Sequence, residues 1–138
     1  MAVAGPALGM QMHCLGVVLH GQLSDDRWIV LLRDITRAIG MEAVAEPAVW
    51  TYPADGKGGT GQTIVLPITE SFLALDTWRD HAGAYLFVCS CRPFFSADVD
   101  KVAVGFGLKV HLKPGRRFYN ELNLAADARK PDWTLGCR

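Results

Sequence analysis

Three apolar runs of strand length follow one another in the middle of the chain. They read TIVLPITES, FLALDTW and RDHAGAYLFVCSC. Runs of four to eight residues rich in Val, Ile, Leu and aromatic side chains, broken by turn residues, are typical of strands rather than helices. The pattern predicts strands at about 62–69, 72–77 and 84–91, and it leaves the polar pair Glu70-Ser71 at the first junction.

Further strands flank this central stretch. The sequence MHCLGVVL predicts a first strand at 12–19. The segment 43–52 predicts a second strand. Because proline has no N–H group for a strand ladder, Pro47 indicates a sheet edge or a bulge in the middle of that strand. A last strand is expected at 108–112, before Pro114-Gly115.

Two segments have the spacing of amphipathic helices. The first is expected to begin at an N-cap, Ser24, and to stop at Gly40. The second is expected to be capped by Ser96 and to end at Gly105 or Gly107. Apolar side chains recur three and four residues apart in both segments: Trp28, Leu31, Leu32, Ile35, Ala38 and Ile39 in the first, and Val99, Val102, Ala103 and Phe106 in the second.

The order strand, helix, strands, helix, strand predicts an α+β fold of two layers, an antiparallel sheet with both helices on one face. We expect a disordered N-terminus at 1–11, one domain at 12–115, and an arm or short helix at 116–138. The strand at 84–91 is apolar on both faces, so both faces need a cover. The sheet of a second subunit is the expected cover, which gives a homodimer with four layers, αββα.

Composition narrows the functional classes. The 138-residue chain is 50% apolar with a formal net charge of zero, so it lacks the basic footprint that nucleic-acid binding requires. It shows neither an export signal nor an apolar run of membrane-spanning length, and we expect a soluble, cytoplasmic protein.

Cys89 and Cys91 lie on one strand, which favours reduced thiols. With His81 they lack the spacing and the fourth ligand of a zinc site, so no metal is expected.

The segment Glu-Ser-Phe-Leu-Ala-Leu-Asp-Thr-Trp at 70–78, with Cys91 twenty residues after the serine, resembles the self-processing segment of the prokaryotic S-adenosylmethionine decarboxylases. In that family the segment begins Glu-Ser-His and continues to His-Thr-Trp-Pro-Glu, with a cysteine at the same distance. The resemblance covers roughly residues 12 to 113 in the order of elements. The family's protomer has two layers and pairs sheet against sheet in a dimer.

The resemblance implies a cofactor made from the chain itself. In the family, the serine hydroxyl attacks the carbonyl of the preceding glutamate and turns the peptide bond into an ester. β-Elimination then splits the chain and leaves a pyruvoyl group at the new N-terminus. That ketone condenses with the substrate amine and accepts electrons as carbon dioxide leaves, as pyridoxal phosphate does elsewhere. A chain cleaved between Glu70 and Ser71 would be a carboxy-lyase of polyamine (spermidine) synthesis.

Carried over by position, the resemblance assigns a catalytic role to five residues. Ser71 is the pyruvoyl precursor, and Glu70 keeps the new carboxyl end. Cys91 matches the cysteine that protonates the substrate carbon, a task for a tuned thiol. Thr63 stands where a serine assists processing, and Asp76 stands where a histidine removes the serine's α-proton. A carboxylate is a weaker base than an imidazole.

Two further residues are candidates for substrate binding. Asp80 stands where the family has a glutamate that holds the ribose hydroxyls, and Trp50 offers a ring that can stack on adenine. Other positions depart from the family pattern. Phe72 replaces the histidine after the serine, Arg79 replaces a proline, and Val17 stands where an acidic residue is expected.

Three functions therefore remain open. The first is pyruvoyl-dependent decarboxylation of S-adenosylmethionine. The second is an uncleaved, inactive relative that acts as a binding or regulatory partner, because Asp76 and Phe72 have replaced the family's histidines. The third is a pyruvoyl decarboxylase of another amino acid, such as ornithine or arginine.

Overall fold

The computed structural model describes residues 11–52 and 61–124, which form one antiparallel sheet and two helices. A 3-10 turn at Arg79–His81 links the fourth and fifth strands. In chain order the elements are β1 Gln11–His20, α1 Asp25–Ala38, β2 Ala48–Tyr52, β3 Gly61–Ile68, β4 Ser71–Trp78, β5 Gly83–Ser90, α2 Ser96–Gly105, β6 Lys109–Val110 and β7 Arg117–Asn123.

The strands lie in the order β2-β3-β4-β5-β1-β6, and β7 also pairs with β1. β6 pairs with Leu19 and His20, whereas β7 pairs with the preceding residues of β1, 11–17. The last two strands therefore follow one another along the same edge of β1. The loop that separates them contains Gly115, whose φ of 88° is one that glycine adopts without a Cβ clash.

One face of the sheet is buried beneath the helices. Successive side chains of a strand point to opposite faces, so every second residue of the central strands belongs to the core. Leu86 and Val88 of β5 are fully buried there, as predicted. The helices contribute a matching apolar stripe: Trp28, Leu31, Leu32 and Ile35 from α1, and Val99 and Ala103 from α2.

The other face of the sheet, which we call the open face, carries large exposed apolar side chains. Residues paired across strands share a face, and the registers place the even residues of β4 beside the odd residues of β5. The exposed aromatic residues of these two strands are Phe72, Trp78, Tyr85 and Phe87. A contiguous exposed apolar surface of this kind is typical of an interaction site.

The predicted α+β fold with two helices on one face of an antiparallel sheet is confirmed, but the helix caps differ in detail. Ser24 occupies the N-cap of α1 without a side-chain hydrogen bond to the helix. Ser96, predicted as a cap, is instead the first residue of α2, and Phe95 takes the cap position. Gly107 follows the end of α2 with a φ of 86°, as a C-terminal stop requires.

The strand predicted at 43–52 is shorter than expected. Strand β2 begins at Ala48, directly after Pro47, and Ala43 forms only a single bridge to Ile68. Pro47 lies in the interruption between this bridge and β2, where a proline costs the ladder no donor. The predicted edge position of this strand was correct, since β2 pairs with β3 alone.

The C-terminal elements also differ from the prediction. The strand predicted at 108–112 is reduced to Lys109–Val110. The segment 117–123 is strand β7 and not a short helix, because it finds the unpaired edge of β1 and pairs with seven of its residues. Of the disorder predicted at 1–11, only Gln11 is described, and it begins β1. The segment 53–60 and the end of the predicted arm, 125–138, lie outside the described residues.

Candidate functional site

Ser71 is the first residue of β4, directly after the turn that joins this strand to β3. It pairs with Ile68 on one side and with Ser90 on the other. Its φ is 156°, a positive value that residues with a side chain rarely adopt. The polar pair seen in the sequence is therefore the end of a tight hairpin, and its second residue has an unusual backbone.

The carbonyl group of Glu70 is held by the backbone of Cys91, another of the catalytic candidates. The backbone N–H of Cys91 donates a hydrogen bond of 2.9 Å to the Glu70 carbonyl oxygen. Arg92 lies on the same side, with its Nε 3.8 Å from a carboxylate oxygen of Glu70. A fixed donor on a carbonyl oxygen stabilises the negative charge that develops there when a nucleophile attacks the carbonyl carbon.

A second polar cluster lies on the open face. The Thr63 hydroxyl donates a hydrogen bond of 3.2 Å to Asp76 Oδ1, and it shares a 2.7 Å hydrogen bond with the Tyr52 hydroxyl. Trp50 pairs with Thr63 across β2 and β3, which places its exposed indole on the same face. The structure thus brings together Thr63, Asp76 and Trp50, and it adds Tyr52, which the sequence analysis did not select.

The two clusters are separate within one chain. Ser71 and Asp76 are five residues apart on the extended strand β4, a distance of about 16 Å. They also occupy opposite faces, because Ser71 pairs with buried Ser90 whereas Asp76 pairs with exposed Tyr85. The Asp76 carboxylate therefore cannot contact Ser71 of its own chain.

A cleft of about 490 Å³ opens at the far end of β4 from Ser71. Its lining includes the side chains of His20, Trp78, His81, Tyr85 and Arg116. None of the catalytic candidates 63, 70, 71, 76 and 91 lines it. Their spacing along the chain does not group these histidines, because they come together only through strand pairing.

The candidate substrate-binding carboxylate lies beside this cleft. Asp80 is exposed in the 3-10 turn between Trp78 and His81, both of which line the cleft, although Asp80 does not. The neighbouring Arg79, which replaces the family's proline, donates a 2.9 Å hydrogen bond to Asp25 at the start of α1. This ion pair ties the turn to the helix layer.

His111 packs near the cleft, with its ring centroid 4.7 Å from that of His20. Partial burial lowers the pKa of His111, and the charges of His20, Arg116 and Lys113 lower it further. The imidazole of His111 therefore favours its neutral form.

Cys14 and Cys89 are paired residues of β1 and β5. Burial, together with the hydrogen bond and charge of Cys14, raises the pKa of the Cys89 thiol to about 12. Because the thiolate is the reactive form, Cys89 is a structural thiol. Val17, at the position where an acidic residue was expected, is likewise structural, since it is buried in the core.

Comparison with known proteins identifies a fold relative. No protein-family model matches the chain, and no curated protein matches it significantly. Among solved structures, the adenosylmethionine decarboxylase from Aquifex aeolicus VF5 is similar, with a TM-score of 0.56 and 16% sequence identity. The match covers 90% of this chain and 98% of that protein. The described part of this chain therefore has an adenosylmethionine decarboxylase-like fold.

Proposed function

We propose that the chain is a self-cleaving, pyruvoyl-dependent decarboxylase of S-adenosylmethionine, serving spermidine synthesis. The observation that carries the proposal is the 2.9 Å hydrogen bond from the Cys91 N–H to the Glu70 carbonyl oxygen. It activates the one carbonyl that Ser71 would have to attack. The fold shared with the Aquifex decarboxylase supports the same proposal.

Self-cleavage would proceed through groups of this chain. The Ser71 oxygen bonds to the Glu70 carbonyl carbon, and the bond from that carbon to the Ser71 nitrogen breaks. The resulting ester eliminates the Glu70 carboxylate when the Ser71 α-proton is removed, and hydrolysis then releases ammonia and leaves a ketone. When present, that pyruvoyl ketone supplies the electron sink for decarboxylation. Cys91, whose backbone N–H bonds the Glu70 carbonyl oxygen, would protonate the product carbon with its thiol.

The separation of the two polar clusters supports a homodimer. The Asp76 carboxylate lies about 16 Å from Ser71 of its own chain, on the open face. Pairing the open faces of two copies would bury their exposed aromatic side chains and would give four layers, αββα. In that arrangement Thr63 and Asp76 of the partner chain would approach the Ser71 backbone from the open face, whereas the Ser71 side chain would stay on the face beneath the helices.

Substrate binding would use the exposed side chains of the same face and its rim. The Trp50 indole is exposed beside Thr63 and can stack on an adenine ring. The Asp80 carboxylate is exposed at the end of β4 and can accept hydrogen bonds from ribose hydroxyl groups.

A second function, that of an uncleaved binding partner, is favoured by one contact. The Asp76 carboxylate already accepts a hydrogen bond from Thr63, so it is satisfied as a structural group. Such a protein would use the exposed aromatic face, which includes Phe72, for assembly alone.

Release of labelled carbon dioxide tests the decarboxylase proposal. Purified protein is incubated with carboxyl-labelled S-adenosylmethionine, ornithine or arginine, and a Ser71→Ala variant serves as the matched control. We expect release from S-adenosylmethionine only, and none from the variant. Release of carbon dioxide from ornithine or arginine would identify that amino acid as the substrate instead. No release from any of the three would favour the uncleaved binding partner.

A further inference from the structure

A row of polar residues crosses four neighbouring strands at the Ser71 end of the sheet. Glu121 of β7 pairs with His13 of β1, His13 pairs with Ser90 of β5, and Ser90 pairs with Ser71 of β4. Paired residues share a face of a sheet. The register therefore lines up a carboxylate, an imidazole and two hydroxyl groups on the face beneath the helices.

The histidine of this row is buried and incompletely bonded. His13 is only 5% exposed, and its Nδ1 lies 3.9 Å from a Glu121 carboxylate oxygen. Its Nε2 is buried without a hydrogen-bond partner among the described residues. Buried polar atoms are nearly always paired, so an unpaired imidazole nitrogen calls for a role. A carboxylate near one nitrogen, here just beyond hydrogen-bond distance, and a free second nitrogen resemble the arrangement of a general base and the group that orients it.

Ser90 lies between His13 and Ser71 and has a hydroxyl proton to share. It is fully buried, and its Oγ accepts a 2.9 Å hydrogen bond from the Arg92 N–H. Its hydroxyl donates only to the Met41 sulfur, at 3.5 Å, and a thioether is a weak acceptor. An imidazole nitrogen is a stronger acceptor toward which this hydroxyl can turn.

The spacing of the row suits proton transfer. The neighbouring pair, Glu70 and Cys91, is joined by a ladder hydrogen bond, so Ser71 and Ser90 form a non-hydrogen-bonded pair. In such pairs the Cα atoms are about 4.5 Å apart and the side chains are close. No hydrogen bond joins His13 to Ser90 in the resting chain, so the imidazole must turn toward Ser90 during the reaction. Catalytic hydrogen bonds commonly tighten only at that stage.

We propose that Glu121, His13 and Ser90 form the proton relay for the first step of self-cleavage, an inference that rests on the proposed function. As the Ser71 oxygen bonds to the Glu70 carbonyl carbon, its proton passes to Ser90, whose own proton passes to His13 Nε2. As the carbon–nitrogen bond breaks, His13 returns a proton through Ser90 to the Ser71 nitrogen. Protons and bonds balance without a co-reactant, and the Glu121 carboxylate stabilises the charged imidazole in between.

The relay would divide the chemistry between two bases. A serine hydroxyl is a weak nucleophile without an adjacent base, and Asp76 lies on the opposite face about 16 Å away. His13 would therefore serve ester formation within one chain. Asp76 of a partner chain would serve the later removal of the α-proton.

The test follows cleavage of freshly synthesised full-length chain, with and without hydroxylamine, which cuts an ester but not an amide. The variants are His13→Asn, Ser90→Ala and Glu121→Gln. His111→Asn is the matched control, because its Nε2 is also buried without a partner among the described residues but lies at the other end of β1. Circular dichroism during thermal unfolding checks that each variant folds.

We expect His13→Asn to slow hydroxylamine-dependent cleavage about a hundredfold, the usual loss for a general base. Ser90→Ala and Glu121→Gln should each slow it several-fold, and His111→Asn should cleave as wild type does. The Glu121 side chain is 57% exposed, so we expect Glu121→Gln to fold. This variant therefore tests the relay even if His13→Asn does not fold.

The outcomes separate the relay from the proposed function. Cleavage of all three relay variants at the wild-type rate would overturn the relay and leave the decarboxylase proposal intact. Hydroxylamine cleavage of wild type that is lost in His13→Asn, without any ketone-bearing fragment, would support the relay and overturn the decarboxylase. A wild-type chain that stays intact both with and without hydroxylamine would overturn both proposals.

Discussion

Glu70 is the central residue of the proposed chemistry, because its carbonyl carbon would form a bond with the Ser71 oxygen. The spacing of Ser71 and Cys91 in the sequence was enough to associate these positions. It did not predict that the Cys91 backbone, rather than its thiol, bonds the Glu70 carbonyl oxygen. That contact follows from the register of β4 against β5, which places residue 91 opposite residue 70.

Replacing Asp76 tests whether a stronger base speeds the later step of self-cleavage. We expect Asp76→His to increase the rate at which the ketone-bearing fragment appears, since imidazole is the better base near neutral pH. Asp76→Asn, which has no base, should accumulate the ester instead. Time-resolved mass spectrometry of the two variants gives the comparison, and equal rates would place the limiting step elsewhere.

The raised pKa of Cys89 predicts a loss of stability at high pH. The thiol shifts from an ordinary value of 9.0 to about 12 on folding, so its contribution is complete below pH 9 and is lost as the pH rises toward 12. Urea unfolding of wild type and Cys89→Ala across this range measures the effect. We expect the wild-type free energy of unfolding to fall more steeply, whereas parallel curves would contradict the shift.

Two residues near the proposed site were not identified from the sequence. Tyr52 alternates with Trp50 on a predicted strand, so their shared face was a usable signal for it. His13 has no motif around it. Its place in a row with Ser90 and Ser71 depends on the order of the strands in the sheet. Strand β5 lies beside β1 although β2, β3 and β4 come between them in the sequence.

Most of the strands and both helices were predictable, because runs of apolar residues mark the strands and apolar residues at helical spacing mark the helices. The exceptions have physical causes. Arg117–Asn123 has little apolar burial, and it becomes β7 because β1 offers unpaired backbone groups. Strand β6, which precedes β7, is short because pairing with β1 stops at His111 and resumes only at Arg116.

Gly61 tests the close pairing of β3 and β4. A Cβ added at Gly61 would overlap the carbonyl oxygen of Thr77, which belongs to the backbone and cannot turn aside. We expect Gly61→Ala to lower the free energy of unfolding by about 1–3 kcal/mol, the range for overpacking. Denaturant unfolding provides the measurement.

Gly105, at the end of α2, is the control for that substitution. A Cβ there meets nothing within 4 Å, so Gly105→Ala should stabilise the chain by about 0.5 kcal/mol through lower backbone entropy of the unfolded state. Equal effects of the two substitutions would contradict the described packing.

At the scale of the whole molecule, the two faces of the sheet differ sharply. One is closed by helices, whereas the other exposes Phe72, Tyr85 and Phe87. The sequence predicted this difference, because the strand at 84–91 is apolar on both sides while only two helices are available. In the described parts of the chain, no helix is both long and apolar enough to span a membrane.

A charge on the open face should prevent the proposed dimer. We expect wild type to have a mass near twice 15.1 kDa in light scattering and Phe87→Asp to have a mass near 15.1 kDa. Phe95→Asp is the matched control, because Phe95 is 77% exposed at the start of α2, in the helix layer. A monomeric wild type would remove the partner that Asp76 needs to reach Ser71.

The intact mass of the purified chain is the sharpest test of self-cleavage between Glu70 and Ser71. Self-cleavage predicts two fragments, one ending in the free carboxyl group of Glu70 and the other beginning with a ketone at position 71. The Ser71→Ala variant should give a single chain. A wild-type chain that remains one species of 15.1 kDa after prolonged incubation would contradict the account.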